Sequence, residues 1–213
     1  DQTDASLNEL GGEFGITRSY NSKGTDQNSL LGRGWSFNLE QSLVQMEDGS
    51  LLYMRGDGSY LFFTENEDGS YTAPAGYVYD LKSVSYEGTD HDEIGWEIKD
   101  ADQSIWSFDK YGVLRFVTDV DGFKTTLEYD EDYNLNKICT SSGKEFGIKQ
   151  DKSGYIREIT LPDGGKLSYT YDKKGNIISA ENADGGVRKY HYDDDSRMIS
   201  WEDENGNTVI TNT

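Results

Sequence analysis

Two histidines, one cysteine and 40 acidic residues are the groups in this 213-residue chain that could do chemistry. A Ser-His-Asp arrangement would need His91 or His191. The first sits in the acidic run Thr89-Asp90-His91-Asp92-Glu93, which reads as an exposed loop, and the second falls on the polar face of a strand. No Gly-x-Ser-x-Gly elbow accompanies either. Paired carboxylates could serve a glycosidase-like reaction, but among so many acids close pairs are expected by number alone. Asp193-Asp194-Asp195 and Asp119-x-Asp121 could offer oxygen ligands to calcium, yet neither fits the Asp-x-Asp/Asn-x-Asp/Asn-Gly loop. Cys139 has no partner for a disulfide and reads as a buried structural thiol. The sequence therefore predicts no catalytic residue, no cofactor and no metal. Trp35, Trp96, Trp106 and Trp201 could stack on sugar rings, although aromatics in the inward phase of a strand usually belong to a core.

The elements that carry these groups repeat. Aromatic-Asp pairs stand at Phe108-Asp109, Tyr129-Asp130, Tyr171-Asp172 and Tyr192-Asp193, with Gln150-Asp151 in the remaining register position, so Asp109, Asp130, Asp151, Asp172 and Asp193 recur every 21 residues. Leu114, Leu135, Ile156, Ile177 and Met198 hold a second phase; Trp106, Leu127, Ile148, Tyr169 and Tyr190 hold a third. Gly122, Gly143, Gly164, Gly185 and Gly206 hold a fourth, each after a small polar residue such as Asp163 or Asn205. Asp-Gly and Asn-Gly favour two-residue hairpin turns in which both central residues take positive φ, while Asp172-Lys173-Lys174-Gly175 has the Asp-x-x-Gly form of a type I turn. Gly122, Gly164 and Gly185 are accordingly expected at positive φ.

Two turns per repeat leave two strands of about five to seven residues. Leu167, Tyr169 and Tyr171 share one face and Ser168 and Thr170 the other, so one face is aromatic and buried. The second strand is less regular: Leu114 and Val117, like Ile156 and Ile159, are three apart, which requires a bulge, a strong twist or burial on both faces. The expected fold is all-β, an antiparallel β-meander or spiralling ribbon of hairpins. It divides into an amino-terminal meander over 1–104 and five hairpin repeats over 105–213. Asp48-Gly49, Asp57-Gly58 and Asp68-Gly69 punctuate short strands in the first part, and 1–12 is the one candidate for a short helix or a frayed end. The strand near Thr208-Val209-Ile210 is expected to be frayed or paired with another copy.

A net charge of -20 opposes contact with nucleic acid and anionic membrane surfaces. No stretch approaches the ~18 apolar residues of a membrane-inserted helix. The chain opens at Asp1 without a Met or a signal-like segment and reads as an excised or processed fragment.

The repeats, written Tyr-Asp-Lys-Lys-Gly-Asn-Ile at 171–177 and Phe-Asp-Lys-Tyr-Gly-Val-Leu at 108–114, resemble the YD repeats of bacterial Rhs and wall-associated proteins and of animal teneurins. Phe14-Gly-Ile-Thr-Arg-Ser-Tyr-Asn-Ser22 and Leu31-Gly-Arg-Gly-Trp-Ser-Phe-Asn38 resemble the domain that precedes the repeats in bacterial members. The resemblance implies a hollow β-shell that encloses a C-terminal toxic or effector segment, in an extracellular or cell-surface protein. In many members the core region cleaves itself near an Asp-Pro-x-Gly motif. Pro74 and Pro162 do not follow Asp, so that chemistry is not carried over, and five repeats are too few to close a shell. The expected function is a non-catalytic shell segment whose partner is the rest of the same polypeptide. The second reading is a surface module that binds a cell-surface glycan or protein.

Overall fold

A computed structural model describes residues 1–9, 12–26, 28–85 and 94–211, and all regular structure among them is β-strand. The run at 89–93, with His91, lies outside the described residues. Thirteen strands, from Tyr79–Ser83 through Ile94–Asp100 to Thr208–Thr211, form one antiparallel sheet in strict chain order. This meander takes in strands ahead of residue 105. Before it come a three-stranded sheet (Gln2–Glu9, Gly12–Tyr20 and Trp35–Phe37), a two-stranded ribbon (Asn28–Ser29 with Gly32–Arg33) and a four-stranded sheet (Ser42–Gln45, Leu51–Met54, Tyr60–Glu65 and Tyr71–Thr72).

The three-residue spacing of the second strand is resolved by a bulge. Ser107 pairs with Phe116 and Phe108 with Leu114, leaving Arg115 as the extra residue. The same shift leaves Asn136, Arg157, Ile178 and Ile199 extra in the following repeats. A bulge restores the inward phase after one unpaired residue, so Leu135 with Ile138, and Ile156 with Ile159, all turn inward and are buried. Leu127, Ile148, Tyr169 and Tyr190 are buried between them. Against this stripe pack Ile16, Leu31, Trp35, Phe37, Leu39 and Leu43, so repeats and amino-terminal segments share one core. Each fully buried Leu or Ile in it contributes roughly 1.5–3 kcal/mol.

One expectation fails, and so does the first alternative of another. Residues 2–9 form a strand rather than a helix or a frayed end: Gln2–Glu9 pairs with Gly12–Tyr20, and Ala5 and Leu7 pack on the core. Seven cross-strand pairs with a buried face outweigh a weak local helical preference. The strand Thr208–Thr211 is not frayed, since Trp201 pairs with Ile210 and Glu202 with Thr208 across the Asp203–Asn207 turn.

Candidate functional site: turns, ladder and strap

Every turn of the repeat region has one backbone form. In Asp109–Val113 the Gly112 N–H donates to Asp109 O (2.9 Å) and the Asp109 N–H to Val113 O (2.9 Å). The pattern recurs at 119, 130, 140, 151, 161, 172, 182, 193 and 203, and the fourth residue takes positive φ, from Gly112 at 76° to Gly206 at 81°. This is a type I turn closed by a left-handed residue, the three-residue hairpin loop. It corrects the expected two-residue turns: Gly122, Gly143, Gly164, Gly185 and Gly206 are all at positive φ, but Asp121, Asp163 and Asp184 before them are not. The type I geometry absorbs the reversal with one left-handed residue instead of two, so Asp needs no unfavourable conformation.

Asp109, Asp130, Asp151, Asp172 and Asp193 occupy the first position of one row of turns. Each Oδ1 accepts from the N–H groups two and four residues on: Tyr111 and Val113, Asp132 and Asn134, Ser153 and Tyr155, Lys174 and Asn176, Asp195 and Arg197. In four of these turns Oδ2 is held in one of two ways. Arg115 and Arg157, the bulge residues, donate to Asp109 and Asp151 (2.8 and 2.7 Å), while Asn134 and Asn176 donate to Asp130 and Asp172 (3.1 and 2.9 Å). The Asn134 N–H, followed by its side chain, holds the Asp130 carboxyl below its ordinary range. Burial works against ionisation of Asp151 and Asp172, yet these donors outweigh it and both are lowered.

The residue before Asp130, Asp151, Asp172 and Asp193 forms a ladder between repeats, while Phe108, before Asp109, carries no donor. The hydroxyls of Tyr129, Tyr171 and Tyr192 donate to Leu114 O, Ile156 O and Ile177 O (2.9, 2.7 and 2.8 Å), always fifteen residues back. Gln150 breaks the aromatic pattern but keeps the bond, because its Nε2 donates to Leu135 O at 2.9 Å. Sequence reading saw the missing ring and missed the retained donor.

The segment around residues 20–43 runs along this row of turns as a strap. Leu43 N donates to Gly112 O (2.9 Å), Ile156 N to Leu30 O (2.7 Å) and Arg33 N to Gly175 O (3.0 Å). Tyr20 OH donates to Ser196 O (3.2 Å) and accepts from Met198 N (2.7 Å). Leu30 N donates to Glu40 Oε1 (2.7 Å), and Glu40 Oε2 is buried with no partner among the described residues. Burial pushes the Glu40 carboxyl up to about 7. Beside the strap, buried Arg18 donates to Asp4 (2.6 Å) and Tyr190 OH (2.6 Å) and lies over the Trp35 ring at 4.5 Å. Tyr169 OH donates to the same Asp4 oxygen (2.7 Å) and Trp35 Nε1 to Tyr192 OH (2.9 Å). A buried charge is tolerated when paired and hydrogen-bonded, and this pair fastens the first hairpin to the fourth and fifth repeats.

The groups that could do chemistry do not converge. His191 faces Glu202 at 3.0 Å on the exposed side of the sheet. Cys139 is half-buried rather than buried. Its thiol lies 3.5 Å from Glu128, and burial, then that carboxylate, raises its pKa. Asp119 and Asp193 use their carboxylates within turns. Among the described residues no cluster of three or more His, Cys, Asp or Glu is placed to hold a metal, and no helix is long and apolar enough to cross a membrane. One open cavity of about 300 Å³ lies between Tyr20, Trp35, Tyr190, Met198 and Trp201, with Asp1 as the one carboxylate on its wall. Trp35 is buried, and Trp96, Trp106 and Trp201 are half-buried against the core.

Fold and site define a β-repeat scaffold whose motif residues bind one another. Residues 1–63 match a family described as a domain of unknown function, DUF6531. Over 134 residues, 63% of the chain, it is 28% identical to the tRNA nuclease WapA of Bacillus subtilis (strain 168) and to the tRNA3(Ser)-specific nuclease WapA of Bacillus spizizenii. The chain spans only 5% of the length of these relatives. Among solved structures, TcdB2-TccC3-Cdc42 aligns with 76% of this chain and 11% of its own, at 14% identity and a TM-score of 0.37. What the chain resembles is the repeat-bearing part of Rhs/YD-repeat proteins.

Proposed function

We propose that the chain is a non-catalytic segment of a secreted or cell-surface protein, forming part of a β-shell that encloses or displays an effector carried elsewhere on the same polypeptide. One observation carries the reading: the polar atoms of the aromatic-Asp motif bind the motif's own turns, the previous repeat or its bulge arginine. Residues engaged this way hold a wall and are not free to act on a substrate. The relatives' names specify tRNA nucleases, but the chain corresponds to 5% of their length, and its charge of -20 repels phosphate. Limited proteolysis of the full-length polypeptide, with and without residues 1–213, tests this. Removal should expose the effector segment to cleavage; unchanged protection would overturn the shell role, and tRNA cleavage by the 213-residue chain alone would overturn its non-catalytic part.

A surface-binding role has one observation in its favour. Tyr111 and Tyr133 are exposed on neighbouring turns, with rings 6.0 Å apart, and Tyr133 holds a positive φ of 60° where most turns use glycine. Saturable glycan binding that disappears in a Tyr111→Ala/Tyr133→Ala variant would support it, and binding that persists would remove it.

A further inference from the structure

The four-stranded sheet is apolar on both faces. Its inner face carries Leu43, Leu51, Tyr53, Leu61 and Phe63, all buried in the shared core. Its outer face carries Val44, Leu52 and Phe62 side by side, since Val44 pairs with Leu52 and Leu52 with Phe62. The adjoining row places Met54 beside Tyr60, and the Tyr60 and Phe62 rings meet edge to face at 5.8 Å. Val44, Met46, Tyr60 and Phe62 are 47%, 40%, 53% and 50% exposed, so the patch is open in this chain.

The strands themselves differ from those of the repeats in the same respect. Leu51-Leu52-Tyr53-Met54 and Tyr60-Leu61-Phe62-Phe63 are unbroken apolar runs, the pattern of strands covered on both sides. Leu167-Ser168-Tyr169-Thr170-Tyr171 alternates, the pattern of a sheet with water on one side, and its outward Thr170 is exposed. One protein thus uses both codes: the repeat strands expose isolated apolar side chains such as Ile178 and Ile199, whereas the strands written for two-sided cover expose a contiguous apolar face.

We infer that the outer face of Ser42–Glu65 is covered in the intact protein by another segment of the same polypeptide, a β-layer with an apolar face. Three considerations choose that occupant. The relatives are far longer than this chain, which matches 5% of them. Six side chains make a smaller contact than the ~800 Å² per partner of a free-standing interface. A charge of -20 opposes bringing two copies together, whereas a tethered segment arrives at high effective concentration. The inference shares with the scaffold reading the need for a longer polypeptide, but not the enclosed effector.

Met46 and Met54, two of the three methionines in the chain, lie in the patch and report on it directly. Peroxide oxidation followed by mass spectrometry would compare the purified full-length protein with the 213-residue chain, each rate scaled to that of the denatured sample. Met46 and Met54 should oxidise about tenfold more slowly in the full-length protein. A Val44→Ser/Phe62→Ser variant of the full-length protein should return both rates toward those of the isolated chain. Equal rates in the two wild-type proteins would overturn the inference and leave an effector-protection result standing. Protection already present in the 213-residue chain, accompanied by dimer mass in light scattering, would make a second copy the occupant and overturn it too.

Discussion

The two rows of hairpin turns share one backbone geometry and answer to different constraints. In the row at 109, 130, 151, 172 and 193 the first residue is always Asp; in the opposite row it is Asp119, Thr140, Leu161, Asn182 and Asp203. A Cβ on Gly112 would run into the Leu43 backbone carbonyl, and one on Gly175 into the Tyr155 hydroxyl and ring. At Gly122, Gly143, Gly164, Gly185 and Gly206 a Cβ would meet nothing within 4 Å. The opposite row does touch the amino-terminal hairpin, but through side chains, as where Lys144 Nζ reaches Asn8 O at 3.0 Å. A turn that only has to reverse the chain tolerates substitution; a turn whose carbonyl receives a strap does not.

The largest effect should separate the two rows directly. Gly112→Ala adds a clash with fixed backbone to the cost of a positive φ and should destabilise by about 3 kcal/mol, with the strap displaced. Gly164→Ala meets only the φ cost, about 1 kcal/mol. Urea unfolding of both variants measures the gap, and equal losses would mean that the strap does not brace its row.

Next in size is the ladder. Tyr171→Phe removes the donor to Ile156 O and leaves a buried carbonyl without that partner, a loss of about 1–2 kcal/mol. An unchanged unfolding midpoint would show that water replaces the hydroxyl and that the ladder adds nothing to the braced row.

Much of this was legible in the sequence because it is local. A left-handed glycine four positions into a turn, an Asp that binds its own backbone and an alternating strand are properties of five to ten residues, and a fixed period displays them five times over. The bulge was legible as a puzzle, from Leu114 and Val117 falling three apart, but not as a solution, since twist and two-sided burial give the same spacing. The strap was not legible. Leu30, Arg33 and Leu43 meet residues more than 60 positions away through backbone groups, which carry no signature in side-chain type. Nor was the Asp4–Arg18 lock with Tyr169 and Tyr190, whose partners belong to different parts of the chain. The first strand was misread because its partner strand, not its own composition, sets its conformation.

Within the strap, Glu40 gives the braced side a pH dependence of its own. Its carboxyl is raised to about 7 in the folded chain from an ordinary 4.5, so the folded state holds a proton that the unfolded state has released. That stabilisation is full below pH 4.5 and is lost as the pH rises through about 7. The lowered carboxyls of Asp130, Asp151 and Asp172 act in the opposite sense, losing their contribution as the pH falls through their depressed range, and so leave this window to Glu40. Glu40→Gln keeps an acceptor for the Leu30 N–H without a charge and should flatten stability between about pH 5 and pH 8. A wild-type midpoint already flat across that range would show that Glu40 is ionised at no cost and that the strap is wetter than its burial indicates.

The smallest effect is the most discriminating. If the position before Asp130, Asp151, Asp172 and Asp193 exists to deliver a donor to a carbonyl fifteen residues back, then ring and amide are interchangeable there provided the donor arrives. Gln150→Tyr should keep the bond to Leu135 O, in the place where Tyr129 and Tyr171 make theirs to Leu114 O and Ile156 O, and change stability by no more than about 0.5 kcal/mol. Gln150→Leu preserves apolar bulk but removes the donor, leaving Leu135 O in a buried residue, and should lose about 1–2 kcal/mol. If the ordering came out reversed, with Leu tolerated and Tyr not, side-chain volume rather than hydrogen bonding would govern the position, and the ladder between repeats would be a by-product of packing.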